Sequence, residues 1–193
     1  RVDTSAAFFL SIEFQQTGYL VFRFYKTAFG NLTGKPVPIT LQSFTPDLQQ
    51  LGQNVIVNQG NWQAQLETNK QVYTQQFVTR PEFVQKYPAS LTPLEFVDAL
   101  NTTAGSVLTQ SERDAFVAAL TAGTKNRGDV LREIAEGLAI TAREFNSAFV
   151  LMQYFGYLRR NPDSAPDTNF DGFNFWLGKL NQFNGNFRAA EMV

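Results

Sequence analysis

Neither cysteine nor histidine occurs anywhere in this chain. No disulfide and no thiolate or imidazole metal site can hold the fold, so it must be stabilised by burying its own side chains. The composition allows this, since 44% of the 193 residues are hydrophobic and 19 are phenylalanine. That is enough apolar surface for one compact domain or two small ones without a staple. The same absence removes thiolate nucleophiles and every Ser/His/Asp arrangement. Any catalyst here would rest on carboxylates, lysines or tyrosines. A cysteine-free chain suits a bacterial surface protein and many cytosolic proteins alike.

Charge narrows the partners. Sixteen Lys and Arg nearly balance seventeen Asp and Glu, for a formal charge of -1, and no run of like charge occurs. Nucleic acid therefore finds little electrostatic footing. The longest apolar stretch, Ala148 to Leu158, is interrupted by Gln153 and falls short of the roughly 20 residues a bilayer requires, so no transmembrane segment is expected. The chain starts at Arg1 without a leader pattern, which reads as a mature product or a fragment.

Three segments share a Glu-Phe pair followed by an aromatic residue: EFQQTGY from Glu13, EFVQKY from Glu82 and EFNSAF from Glu144. After each, an apolar helical segment ends at glycine or proline, at Gly30, Gly105 and Pro162. This reads as a degenerate internal repeat of roughly 60 to 70 residues, longer than the solenoid periods of about 20 to 50.

Helix punctuation supports the division. Thr92-Pro93-Leu94-Glu95 supplies a capping hydroxyl, a proline at the first helical position and a returning carboxylate. Ser111-Glu112-Arg113-Asp114 reads as a second start, for a helix through Leu120 that stops at Ala122-Gly123-Thr124. From about Asp129, Val130, Leu131, Ile134, Leu138, Phe145, Phe149 and Tyr154 recur at helical spacing until Asn161-Pro162, with Gly137 a point of interruption or kink. A further helix is expected from Asn61-Trp62 to about Val78. Residues 31–60 differ, with Gly34, Pro36, Pro38 and Pro46 crowded together and a β-branched run, Val55-Ile56-Val57, suited to a short strand pair.

The expected fold is all-α: irregular helical repeats packed as a bundle or short array, with one Pro/Gly-rich insertion. The repeats divide at 1–90, carrying the insertion at about 31–60, then 91–146, then 147–193 with an acidic loop, in one compact unit.

That loop is the richest polar cluster. Asp163, Asp167, Asn169 and Asp171 precede Gly172, and oxygen ligands at alternating positions before a glycine describe the first half of a calcium loop. The second half departs from the pattern, because Gly178 stands where a bidentate Glu would close the site. A turn in which Asp and Asn bond nearby backbone and cap the next helix is the more economical reading. Calcium is the one cofactor these residues suggest.

Aromatic residues form a second group: Phe170, Phe173, Phe175 and Trp176, with Trp62, Tyr154 and Tyr157. Exposed, they would suit a sugar-binding platform. Phe173, Trp176, Leu177 and Leu180 nevertheless fall at the spacing of a buried helix face. For glycoside hydrolysis one looks for two carboxylates across a cleft. Glu95 with Asp98, and Glu133 with Glu136 beside Arg132, are spaced like solvated helix faces. No catalytic set emerges, and the chain reads as a non-enzyme. The recurring Glu of the Glu-Phe pairs reads as a helix-end or interhelical contact.

Arg160-Asn161-Pro162-Asp163, followed by Gly172-Phe173-Asn174-Phe175-Trp176 and Leu180, resembles the bacterial domain of unknown function 4214. That family's signature is an aromatic helix ending in Gly-Arg-x-Pro-Asp, a short loop to Gly, and an aromatic-Trp helix. Residues 147–193 carry the resemblance, with Tyr25 to Gly30, Trp62 to Phe83 and Phe96 to Gly105 resembling degraded copies. The whole chain is similar to versions found in large secreted proteins of acidobacteria-like organisms. Two departures stand out: the loop from Pro162 to Gly172 is longer than the family's, so its acidic residues inherit no role, and Arg159-Arg160 replaces Gly-Arg. The resemblance implies a helical fold and a secreted or cell-surface location in a bacterium.

The expected function is thus a structural or protein-interaction module, in the manner of a surface-layer or filament subunit, working by self-association or against neighbours in its parent protein. The alternative is a carbohydrate-binding or adhesion module using exposed aromatics. The closing FRAAEMV reads as an interrupted helix that leaves Phe187, Ala190, Met192 and Val193 uncovered for a neighbouring subunit.

Overall fold

A computed structural model describes residues 12–192, with side chains from residue 14 onward. Among the described residues all regular structure is helical. In chain order the helices are α1 (Ile12–Gln16), α2 (Gly18–Phe29), α3 (Leu41–Leu51), α4 (Trp62–Phe77), α5 (Pro81–Lys86), α6 (Pro93–Thr103), α7 (Gln110–Thr121), α8 (Arg127–Glu136) and α9 (Leu138–Gln153). A π-helical turn (Tyr154–Leu158) extends α9, and α10 (Asp171–Gln182) follows the acidic loop.

The sequence of α2, GYLVFRFYKTAF, is apolar nearly all round, which is the pattern of a helix enclosed by others. Tyr19, Leu20, Val21, Phe22, Phe24 and Ala28 are at most 1% exposed. Helices α1, α3, α6, α8 and α9 surround it. From Phe24 a chain of rings runs outward: Tyr73 and Phe77 of α4 meet it edge-on at 5.1 and 5.4 Å. Phe83 of α5 follows at 6.1 Å from Phe77, and Tyr87 and Phe96 close the series at 4.9 and 6.4 Å from Phe83. Such edge contacts add about 0.5–1.5 kcal/mol each beyond the area they bury. One continuous hydrophobic cluster results, reaching from Phe14 to Ala190.

Local signals set the helix starts. Thr92 and Glu95 form a full capping box at α6. At α7 the cap is Thr109, with Glu112 returning to its backbone, two residues before the expected Ser111. Thr109 lies three residues ahead of Glu112, the reach the reciprocal bonds require, whereas Ser111 is adjacent to it. Asn126 and Asp129 cap α8 in the same way. Helix α6 ends at Gly105, whose φ of +86° follows Ala104, with Arg143 lying 2.5 Å from where a Cβ would stand. The positive φ favours glycine there, and a side chain would also have to displace the Arg143 guanidinium.

The strand pair expected at Val55–Val57 does not form. Asn54 and Asn58, at φ of 58° and 65°, turn the chain on either side of the run. The Asn69 side chain of α4 then donates to the carbonyls of Leu51 and Gln53 at 2.9 and 2.8 Å, fixing this turn. Much of the Pro/Gly-rich segment is helix α3, capped by Thr40 despite Pro46 in its interior.

Gly137 divides the long periodic segment in two. Its extended backbone ends α8 and starts α9, which resets the helical phase. Leu138, expected on the buried face, is consequently 89% exposed, and Ile140 is buried instead. The C-terminal residues are not an open helix end. Residues 187–191 form turns, Ala190 is fully buried, and Phe187 stacks on Phe149 at 5.8 Å. Met192 also packs on the core, while Val193 lies outside the described residues. The chain covers these residues itself, so they offer no bare surface of the kind expected.

The three Glu-Phe pairs occupy unlike places. Phe14 and Phe83 sit in the short helices α1 and α5, whereas Phe145 is mid-way along α9. Glu144 is buried and reaches Lys26 of α2 at 3.5 Å, an interhelical contact, while Glu82 is exposed in the first turn of α5. The Glu13 side chain lies outside the described residues.

Candidate functional site

The candidate calcium ligands do not converge. Asp163 pairs with Lys35 at 2.5 Å, and Asp167 pairs with Arg160 at 2.6 Å. Asn169 accepts from the backbone N–H of Asp171 at 2.9 Å and donates to that carboxylate at 2.8 Å. The loop is thus organised by cations and by a local Asn-Asp turn ahead of α10, whose N-cap position is Phe170, without a side-chain capping bond. Arg160 also donates to the Ser164 carbonyl at 2.6 Å. Asn161 accepts from the first N–H of α3, at 2.7 Å, and thereby ties the loop to the opposite end of the chain. Among the described residues no group of three or more carboxylates is placed to hold a metal ion.

Gly172 has a packing role. A Cβ on it would stand 2.7 Å from the Tyr154 hydroxyl, so the phenol occupies space that only glycine leaves open. Burial raises the pKa of Tyr154, with the Asp167 carboxylate adding to the effect.

The carboxylates weighed for catalysis are each engaged. Glu95 belongs to the capping box, and Asp98 takes two hydrogen bonds from Arg113 at 2.5 and 2.8 Å. Glu133 pairs with Lys125, and Glu136 lies between Lys70 at 2.8 Å and Arg132 at 2.9 Å. Capping lowers the pKa of Glu95, and the Arg113 hydrogen bond lowers that of Asp98. Both are held as anions, the reverse of what a general acid needs.

An aromatic-walled concavity lies beside the π-helical turn. After Gln153 the backbone closes a wider turn, with Arg159 N–H reaching the Tyr154 carbonyl across five residues. One extra residue rotates everything after it by about 100° relative to the α-helical register. Tyr154 and Phe155 still face the core, whereas Tyr157 and Leu158 swing out to 46% and 52% exposure. Arg159, left-handed at φ 54°, then ends the turn. Trp176 of α10 forms the facing wall, with Val150, Gln153, Tyr154 and Met192 around a groove of about 210 Å³.

Two features suit this groove to a ligand. Phe175, beside Trp176 at a 79° ring angle, is 61% exposed, which extends the aromatic surface beyond the groove. The Gln153 amide nitrogen is buried against it with no hydrogen-bond partner among the described residues. A buried donor without an acceptor costs about 1–3 kcal/mol, which a ligand oxygen at that point would recover.

The expected helix face is partly realised. Phe173 and Leu180 are fully buried, while Trp176 and Leu177 are partly buried against the core. Phe170 also packs on the core at its edge, and Trp62 is partly buried in the first turn of α4, away from the groove lining. Among the described residues no helix is long and apolar enough to cross a membrane. The chain matches no protein-family model, and neither a curated protein nor a solved structure matches it.

Proposed function

We propose that this chain is a non-enzymatic binding module of a bacterial secreted or cell-surface protein, acting by association through the groove between the π-helical turn and α10. The observation that carries the reading is the outward rotation of Tyr157 and Leu158 to face Trp176, beside the exposed Phe175. An aromatic patch with a recessed, unpartnered amide is the usual anatomy of a contact centre: large side chains supply area, and one donor fixes register. A protein partner fits best, since Leu158, Met192 and Val150 line the groove with aliphatic surface that takes a side chain better than a sugar face. The surface location rests on the resemblance of residues 147–193 to domain of unknown function 4214. Self-association in a surface layer or filament is the form of this function that the chain alone can reveal.

Sedimentation velocity across a hundredfold concentration range tests it. A sedimentation coefficient that rises with concentration, and does so no longer in Leu158→Glu and Trp176→Ala, is the expected result. Both positions are partly or largely exposed, so the variants should fold. The second reading, a carbohydrate site, is favoured by the Trp176 ring and the Gln153 donor together. It predicts a monomer at every concentration whose Trp176 fluorescence, isolated in a Trp62→Phe background, shifts with soluble xylan or chitin oligosaccharides. A monomer indifferent to all of these would refute both readings.

A further inference from the structure

A second groove lies where α2, α4, α8 and α9 meet, and charged and polar side chains are set among the apolar Leu138 and Phe145 in its wall. It has a volume of about 240 Å³ and is lined by Tyr19 and Arg23 of α2, Lys70 of α4, Glu136 of α8, and Leu138 and Thr141 of α9, among others. Three observations there are unexplained by folding alone.

Tyr19 is 1% exposed, and among the described residues its hydroxyl has no hydrogen-bond partner. Its ring stacks on Phe145 at 5.6 Å and meets Phe14 edge-on at 5.7 Å, so the ring is fixed and the hydroxyl cannot swing away to water. Fully buried polar groups in native proteins nearly always have a partner, and exceptions call for a reason.

Charge is unbalanced around the groove. Glu136 is shared by Lys70 and Arg132, and Glu67 takes both remaining Arg132 contacts at 2.7 and 2.6 Å. Arg23, in contrast, meets no carboxylate within ion-pairing distance among the described residues; its Nε donates to the Ala135 carbonyl at 2.6 Å. A guanidinium carries five N–H donors, so most of its capacity is unspent. In the lining itself two cations, Arg23 and Lys70, face one carboxylate, Glu136, and the direct ion pair goes to Lys70.

The third observation is the start of α9. Gly137 offers no side chain to its first turn, and the positive end of this helix lies at the groove's rim.

We propose that this groove binds a carboxylate or a comparable small oxyanion, with the Arg23 guanidinium and the Tyr19 hydroxyl as its donors and the Thr141 hydroxyl within the lining. An anion there supplies the acceptor Tyr19 lacks and a direct partner for Arg23, on which Glu136 acts only from beyond ion-pairing distance. Its geometry matches the planar fork of a guanidinium, which takes two oxygens at once. The site is separate from the aromatic groove and stands or falls independently of it.

Acetate and inorganic phosphate, each against sodium chloride at equal ionic strength, are the probes. With the whole chain, either oxyanion should raise Tm above the chloride control, and NMR should show the Arg23 Nε–H and the Leu138 and Thr141 amides shifting with saturation. Tyr19→Phe keeps the ring and removes only the unpartnered hydroxyl. It should fold with at least the wild-type Tm in chloride and bind acetate at least tenfold more weakly. Arg23→Lys, which keeps the charge but not the fork, should weaken binding as well. Equal oxyanion titrations for wild type and Tyr19→Phe would overturn the assignment, as would resonances that respond alike to acetate and chloride.

Discussion

The guanidinium of Arg80 holds the carboxylate of Asp47 through two hydrogen bonds, Nη2 to Oδ1 at 2.7 Å and Nη1 to Oδ2 at 2.9 Å, over the ring of Phe77 at 4.6 Å. Tyr73 donates to the same carboxylate at 2.9 Å, and the Tyr25 hydroxyl lies 2.8 Å from Nη1. Asp47 is 5% exposed, so a charge pair largely removed from water joins α3 to the start of α5, and the hydroxyls of Tyr73 and Tyr25 extend it to α4 and α2. Asp47→Ala leaves a buried guanidinium without its counter-charge and should cost about 3–5 kcal/mol. In a domain of this size that lowers Tm by roughly 10 °C. Replacing both, as Asp47→Leu with Arg80→Met, should cost clearly less than Asp47→Ala alone. Urea unfolding of the three proteins checks this, and a double variant no better than the single one would argue against it.

Alkali should unfold the protein earlier than acid-base balance alone suggests. Burial holds Tyr87 up to about 12, from an ordinary 10.0, and its hydroxyl donates to the Ala28 carbonyl at 2.7 Å. Burial likewise raises Tyr19, Tyr25, Tyr73 and Tyr154. A phenol whose folded pKa exceeds its unfolded one favours the folded state fully below pH 10, and that contribution is lost as pH climbs through the folded value. Stability should therefore fall between about pH 10 and pH 12. Phenolate absorbance and far-ultraviolet circular dichroism should change together. Ionisation of these five tyrosines at pH 10 with the helix intact, followed in a Tyr157→Phe background, would contradict the prediction.

Gly172→Ala places a methyl group 2.7 Å from the Tyr154 hydroxyl and should destabilise by about 1–3 kcal/mol, as overpacking does. Tyr154→Phe removes the atom it strikes. The double variant should recover most of the loss, giving a coupling energy above about 0.5 kcal/mol in a double-mutant cycle. Additive effects would place the cost elsewhere.

Calcium has to displace two ion pairs before it can use the acidic loop, Lys35 from Asp163 and Arg160 from Asp167. Melting curves in millimolar calcium and in chelator should therefore coincide for the wild type. A ligand at about a hundred times its dissociation constant would add roughly 2.7 kcal/mol and be plain in the curve. A calcium shift that disappears in Asp167→Asn would show that the cation wins.

The parts of this fold that were legible in the sequence are those with local causes. Thr92 to Glu95 declared a helix start because both partners of the capping box lie within one turn, and the helix from Trp62 ends within a residue of its expected limit because Pro81 follows closely and opens the next helix. Gly137 was visible as an interruption, but its effect on Leu138 depended on the angle at which two helices meet, which no spacing encodes. The turn around Val55–Val57 is held by Asn69, and the acidic loop by Lys35, across 128 positions. Residues so far apart leave no periodic trace. The aromatic groove was half visible: Tyr157 and Trp176 were marked as candidates, but an α-helical period cannot anticipate the extra residue of the π-turn that exposes Leu158.

The enclosure of α2 has a consequence in time. Its neighbours α8 and α9 begin about a hundred residues after it ends, and at 5–20 residues per second that distance corresponds to roughly 5–20 s of synthesis. For that interval α2, carrying Tyr19, Leu20, Phe22 and Phe24, has only the earlier helices α1, α3 and α6 against it, and the side that α8 and α9 will take is shielded only by whatever escorts the growing chain. The most oil-like segment of the molecule is made early and wrapped late. A nascent chain stalled before residue 127 should therefore be the aggregating species, and slowing translation should lower the yield of folded protein.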